Sequence, residues 1–532
     1  MSVPATLIST ATTSGQAVQS DVGRRYLTAA VQTGIGGIVS RVLQGFAPII
    51  LARYLGPKEY GVYTLVLSLV NIVVGVSPLG QNAALQKFLP EYAVRNPARG
   101  GAILANTVIL VSGALAVLCT AFFFASKWIA TTIYRDPSLT VVFQFSALLV
   151  LTLSLFNLAS SATAGLQDFK TYSWAMMVRS GAFMLFGWLG VLFLGIYGAL
   201  FGQLVASLVG LSLLTVSAVK LSRHRFPGSI RPRFSKDALR EVFSFSFAAF
   251  LTAIVGAPIY WWVNTLLARH QSFVQVGLFG VSLSLAQLVL VIPLSLCFPG
   301  VSFMSELHAR ADSSAFRNFL VANLRVAWAL TLPLALGSGL FSPFLVRVLF
   351  GSAFGAASLV ATIMSAAALL MVLNAFINVP IAASGRMWQG FAMTLGWALL
   401  LVLCGLIFIP PLGAVGAALT ILVSLVVYVA VGFAYCRYTF GTSFTNFTRL
   451  AVISAGGFLI AVGIAVHFSG FAYLTVALLA FTGFVILDWV WATDVSTRRI
   501  VRGSVVQMLG ALGSKTRLDL YPFGQPEEGG GK

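Results

Sequence analysis

Apolar residues fill the chain from about Ala29 to Leu51, give way to the polar turn Gly56-Pro57-Lys58-Glu59, and resume from Tyr60 to about Leu79. Runs of this length predict helices that cross a membrane, because about 20 residues rising ~1.5 Å each cover the ~30 Å hydrocarbon layer. Further runs follow at about 101–125, 140–165, 172–195, 198–219, 242–268, 273–298, 319–342, 356–380, 388–410, 412–435, 449–468 and 471–492. They are continuous, where a membrane barrel would alternate polar and apolar residues. Only helices and closed barrels satisfy their backbone hydrogen bonds in lipid, so the pattern predicts an all-α polytopic membrane protein with about fourteen transmembrane helices.

The connections divide the chain. Residues 1–28, rich in Ser, Thr and Ala, read as a disordered cytoplasmic tail, since no apolar core with a cleavage site is present. Residues 29–219 form an N-terminal six-helix bundle and 220–240 a basic linker. Residues 241–436 form a second six-helix bundle, 437–492 an additional helix pair, and 493–532 a cytoplasmic C-terminal tail. The two bundles repeat one another: Leu51 to Val74 aligns without gaps on Leu267 to Leu290, with Arg53 over Arg269 and Gly61 over Gly277. Six helices is an even number, so the repeats enter the membrane in the same direction, related by an axis along the membrane normal.

Composition agrees, with 58% hydrophobic and 9% charged residues and a mean hydropathy of +0.93. The net charge of +19 would suggest a nucleic-acid partner in a soluble protein. Here its distribution sets topology. With connections alternating between two sides, 25 of the 33 Lys and Arg residues fall on the side of the termini and 6 on the other. The positive-inside rule then puts both termini in the cytoplasm, and the linker's charge suits anionic head groups. Cys119, Cys297, Cys404 and Cys436 stand singly in apolar runs, implying neither disulfides nor a zinc site. No cofactor or metal is expected. The glycines of 34–37 follow no strand, so they indicate close helix packing and not a dinucleotide fingerprint.

Two arginines remain inside the apolar runs. Arg41 lies roughly 18 Å into the first span, near mid-membrane and too deep to reach either interface. Only Asp488, of 14 acidic residues, falls within a span, near its cytoplasmic end. Two readings stand: Arg41 lines an aqueous cavity that binds anions, or it is a structural arginine bonded to backbone carbonyls. Arg53 and Arg269, at matching outer ends of spans one and seven, are interfacial anchors or cations at the cavity mouth, with Lys58 and His270 beside them. Arg179 and Arg325 are shallow enough to snorkel. Amides recur at Gln44, Asn71, Gln81, Asn82, Asn106, Asn157, Asn264, Gln287, Asn374 and Asn378. Most suit interhelical hydrogen bonds, and a subset of them would suit sugar hydroxyls; Gln44, Asn71, Asn82 and Asn264 join Arg179 as secondary candidates.

The LARYLGPKEYGVY turn, FLPEY at 88–92, LVRVLFGSAF at 345–354, AASGR at 382–386 and PPLGAVGAAL at 410–419 together resemble the polysaccharide flippases of the MOP exporter superfamily. That group is related to the lipid II flippases and the MATE transporters, and the likeness runs from about residue 25 to 440. It implies a protein, not itself an enzyme, that moves a polyprenyl-pyrophosphate-linked oligosaccharide from the cytoplasmic to the outer leaflet of the inner membrane by alternating access. It implies a V-shaped cationic cavity in which Arg41 matches a functional basic residue of the first span, with Arg53 and Arg269 as counterparts of further cavity arginines. The final helix pair would help hold the lipid tail, and polymerases or glycosyltransferases would be protein partners. The alternative within the superfamily is an ion-coupled antiporter, which needs intramembrane carboxylates. A membrane glycosyltransferase or polymerase needs a positioned base or metal carboxylate; the outer connection 126–140 carries only Asp136.

Overall fold

The computed structural model describes residues 6–226, 236–297, 313–442, 447–467 and 470–487, with Met304 and His308. Part of the 220–240 linker, Asp488 and the 493–532 tail lie outside these residues. No strand occurs among the described residues, and the chain is an all-helical polytopic membrane protein. Its helices are α1 (Thr6–Val76), α2 (Gln81–Arg95), α3 (Pro97–Trp128), α4 (Leu139–Gly165), α5 (Phe169–Arg225), α6 (Lys236–His270) and α7 (Phe273–Cys297). After these come α8 (Ser313–Leu340), α9 (Ser342–Phe350), α10 (Ser358–Ala383), α11 (Met387–Phe440), α12 (Phe447–His467) and α13 (Gly470–Leu487). Helix α1 starts at Thr6, so helical backbone runs through the stretch that reads as a disordered tail.

Three of the described helices are each long enough to cross a membrane twice, and each breaks at one glycine: Gly56 (φ 69°, ψ 175°), Gly195 (φ 54°, ψ −130°) and Gly413 (φ 58°, ψ −130°). Positive φ is strained for residues with a Cβ, which is why glycine stands at each break. Beyond Gly195 the two limbs of α5 touch through backbone: a Cβ on Gly198 would lie 1.8 Å from the Gly190 carbonyl oxygen. Lipid gives helices no hydrophobic drive to associate, so such close approach of small residues supplies the packing energy.

The repeat extends beyond the aligned segment. Leu166, Gln167 and Asp168 donate backbone bonds to Ala162, Ala164 and Thr163; Ser384, Gly385 and Arg386 donate to Pro380, Ala382 and Ile381, each 218 positions later. Glu59 and Gln275 correspond in the alignment of Leu51–Val74 on Leu267–Leu290. Glu59 Oε2 lies 3.6 Å from the position of a Cβ on Gly195, while Gln275 Oε1 accepts from the Ala414 amide beside Gly413 at 3.0 Å.

Helices α1–α5 pack among themselves, as do α6–α11, and α1 makes most of the contact between these halves through α6 and α7. Helices α12 and α13 pack on the second half. Trp328 donates to Ser454 at 3.0 Å, Tyr473 donates to the Leu340 carbonyl, and Phe341 meets Phe481 edge-on at 5.9 Å. The breaks at Gly56, Gly195 and Gly413 gather at one end of the molecule, the glycine-turn end. Opposite it, Arg225, Arg317, Arg386 and Arg437 stand at helix ends, and we refer to this as the basic end.

Candidate functional site

Arg41 sits where α1 passes between the halves. Its neighbour Ser40 faces α5, with Oγ 2.8 Å from Ser180 Oγ and a 3.3 Å bond to the Met176 carbonyl. Gln44, one turn on, donates to both Ser40 (2.8 Å) and Ser180 (3.1 Å). This polar clamp fixes α1 against α5 and so fixes the rotation of α1 about its axis. On the adjacent face, Gly45 lies against Leu288 of α7, so closely that a Cβ would be 2.3 Å from Leu288 Cδ2. Arg41 is four residues before Gly45 and shares that face. The clamp therefore turns the face of α1 that carries Arg41 toward the seam between the halves. Arg41 is half-buried, and its Nη1 has neither solvent contact nor a hydrogen-bond partner. Leaving a charged donor unpaired costs more than leaving a neutral one, and Nη1 is uncompensated among the described residues, as is the Nε of Arg179.

The other candidates do not join it. Arg179 follows Ser180's helix but points away from the seam, with its Cζ 4.9 Å over the Phe156 ring of α4. Gly210 makes room for it, since a Cβ there would stand 3.1 Å from Arg179 Cβ. The cation is thus held by a ring, a contact worth ~2 kcal/mol where desolvated. Arg53 is twelve residues beyond Arg41, about 18 Å along the helix. It is exposed at the glycine-turn end and donates to the Val348 carbonyl of α9 in the second half. Arg269 is exposed at that same end. Asn71 is exposed, Asn82 is half-buried with an unpartnered Oδ1, and Asn264 is 2% exposed with an unpartnered Oδ1. In the second half, Asn378 donates to Asn374 at 2.7 Å and accepts from Tyr428 at 3.2 Å, a neutral network between α10 and α11.

The glycine-turn end is closed. A Cβ on Gly61 would lie 1.8 Å from the Phe273 carbonyl oxygen, and one on Gly277 2.0 Å from that of Pro57. Tyr60 bonds Ser284 at 3.2 Å. Tyr134 bonds Thr265 at 2.9 Å and accepts from Trp261 at 2.9 Å, tying the α3–α4 connection to α6. At the basic end, Gly80 meets Ser246, where a Cβ would be 2.1 Å from the carbonyl oxygen. Sequence reasoning missed the Tyr134–Trp261–Thr265 contact and the clamp's Ser40 and Ser180. A lone hydroxyl in an apolar run carries no periodic signal, and its partner lies more than a hundred residues away.

The sequence model of a family described as polysaccharide biosynthesis protein matches residues 50–359. The EPS I polysaccharide export inner membrane protein EpsE of Ralstonia solanacearum is 24% identical over 389 residues, 71% of this chain and 85% of EpsE. Agl15 of Haloferax volcanii, a probable low-salt glycan biosynthesis flippase, is 23% identical over 402 residues, 75% of this chain and 80% of Agl15. Among solved structures, the lipid II flippase MurJ in an inward closed conformation superposes with a TM-score of 0.67 at 15% identity, covering 86% of this chain and 99% of that one. An inward-facing MATE family multidrug resistance transporter of the MOP superfamily gives 0.63 at 15% identity, over 75% and 94%. The family match spans more than half of the chain, and its fold is that of the MOP transporters. The protein belongs to the polysaccharide biosynthesis protein family.

Proposed function

We propose that the protein flips a polyprenyl-pyrophosphate-linked oligosaccharide from the cytoplasmic to the outer leaflet of the inner membrane by alternating access, in the biosynthesis of a cell-surface polysaccharide. The observation that carries this reading is Arg41, a half-buried arginine with an unpartnered Nη1 at the seam between the two halves. The relatives named for polysaccharide export and glycan flipping support it. In this reading the excess of Lys and Arg puts the termini and the basic end in the cytoplasm. The closed glycine-turn end then faces outward, and substrate enters from the cytoplasmic side.

A pyrophosphate carries about two negative charges, and moving each outward across an inside-negative potential gains ~2.3 kcal/mol per 100 mV. What opposes transfer is exposure of that charge to hydrocarbon. The Arg41 guanidinium offers paired donors to the phosphates and removes that exposure. Arg53 and Arg269 act at the outward mouth. Gln44 serves through the clamp, and Asn71, Asn82 and Asn264 offer amides to sugar hydroxyls. Arg179 keeps a packing role.

Leaflet accessibility of a fluorescent polyprenyl-pyrophosphate oligosaccharide in reconstituted vesicles tests the reading. The expected result is translocation by the unmodified protein, with about tenfold or greater loss in Arg41→Ala and a smaller loss in Arg41→Lys, which keeps charge but not the fork. Transport unchanged in both variants would return Arg41 to a structural role. An unmodified protein that moves no such lipid but exports a small cation against a gradient is an antiporter.

A further inference from the structure

We propose that Arg317, Arg386 and Arg437 together bind the phosphate of an anionic phospholipid at the basic end of the second half. The three come from separate places in the chain: the N-terminal part of α8, the connection before α11 and the last turn of α11. Arg386 and Arg317 approach Phe440 and Gly441, at the helix end that carries Arg437. Arg386 Cζ lies 5.9 Å from the Phe440 ring centroid, and Arg317 Nη1 lies 3.5 Å from where a Cβ of Gly441 would be. Arg437, three residues before Phe440, shares its face of the helix. All three are exposed, and none pairs with a carboxylate among the described residues. Three cations at one end of the second half without a carboxylate make a local excess of positive charge that attracts an anion.

The repeat shows what is missing. Arg386 occupies the position that Asp168 holds in the first half, with the same backbone hydrogen bonds around it. Asp168 accepts from the Thr171 amide at 3.1 Å and from Ser217 at 2.5 Å, so that half supplies its own anion. In the second half the residues matching Thr171 and Ser217 are Gln389 and Tyr435, and they bond each other. No protein group takes the carboxylate's place. Trp388 and Tyr438 flank the arginines with 63% and 93% of their surface exposed. Exposed Trp and Tyr sit at head-group level in membrane proteins, which places the arginines at the depth of lipid phosphates. The surrounding rings of Phe316 and Tyr435, at 5.2 and 6.3 Å from Phe440, hold the platform rigid.

The test is native mass spectrometry of the purified full-length protein titrated with phosphatidylglycerol or phosphatidylcholine. The triple variant Arg317→Gln/Arg386→Gln/Arg437→Gln should lose phosphatidylglycerol retention, about fivefold per arginine, with phosphatidylcholine unchanged. A control with the same net charge outside the basic linker, Lys127→Gln/Arg135→Gln/Lys170→Gln, all exposed, should retain it. The triple Arg→Lys variant should keep most of the binding, which separates lost recognition from misfolding. Equal loss in the two Gln variants would reduce the effect to bulk surface charge and overturn the site. So would unchanged binding in the triple variant. If inorganic pyrophosphate displaces the phospholipid at equimolar concentration, the site serves pyrophosphate chemistry and the phospholipid assignment fails.

Discussion

Gly61 and Gly277 occupy matching positions in the two repeats and pack against each other across the seam. Each approaches the other's helix so closely that a Cβ would stand 2.0 Å or less from a backbone carbonyl oxygen. The pseudo-twofold axis of the molecule therefore passes between them. Sequence alignment singles out both as glycines, but only the fold shows that they meet.

Substituting Ala at either position forces the α1–α7 contact apart, since backbone cannot yield as a side-chain tip can. The closed state should lose about 1–3 kcal/mol, while any state with this end open is unaffected. A Ser284→Cys reporter beneath the contact should then react several-fold faster with a membrane-impermeant maleimide in a Gly277→Ala background. Unchanged labelling would mean that the contact does not close the path.

The breaks at Gly195 and Gly413 share φ near 55° and ψ of −130°, a conformation that L side chains avoid. Gly195→Ala and Gly413→Ala should each destabilise the protein by about 1–3 kcal/mol. Gly456→Ala, in α12 with nothing within 4 Å of the added Cβ, should be neutral or stabilising by up to ~1 kcal/mol. Thermal unfolding in detergent separates the two classes, and equal shifts would show that the turns tolerate side chains.

The fold was largely legible because lipid imposes a strong rule: uninterrupted apolar length means helix. The turn at Gly56 announced itself through the polar residues after it, and Arg41 through depth alone. The site was less legible. Nothing in the sequence says that Ser40 meets Ser180 or that Arg179 rests on Phe156, because those contacts depend on which faces of two helices meet. A uniformly apolar helix hides its faces; in α11 the apolar residues cover all sides. In the sequence the repeat is visible only over Leu51 to Val74, while the backbone turn shared by 166–168 and 384–386 extends it. Side chains there differ, Asp168 against Arg386, so sequence identity could not reveal it.

The clamp predicts an indirect effect on Arg41. Ser180→Ala removes the hydroxyl that Ser40 and Gln44 share, and interhelical bonds of this kind contribute ~0.6 kcal/mol on average in a membrane. Stability should change little. Lipid translocation should fall several-fold, because α1 is freer to rotate and the guanidinium leaves the seam. Ser180→Thr, which restores a hydroxyl, should recover most of it. If Ser180→Ala transports normally, Arg41 is oriented by something else.

Asp168 gives the protein an acid-sensitive element outside the membrane-spanning segments. Partial burial tends to raise its carboxyl pKa, but hydrogen bonds from Ser217 and Thr171, with the Lys170 ammonium, outweigh that and hold it below the usual carboxylate range. A group whose folded-state pKa is depressed contributes stability that is fully present above its unfolded value of about 3.9. That stability is lost as pH falls through the folded value. Asp168→Asn retains a capping side chain but carries no charge. At pH 7 the variant should be less stable by about 1 kcal/mol, the worth of a charge-assisted bond replaced by a neutral one. The difference should begin to shrink below about pH 4, where the unfolded carboxyl takes up its proton, and should continue toward zero as pH falls through the lower value of the native carboxyl. Melting temperatures of the two proteins measured from pH 7 down to pH 3 should therefore converge. Parallel curves would show that the Asp168–Ser217 contact does not depend on charge, and that the first half needs no anion at this turn.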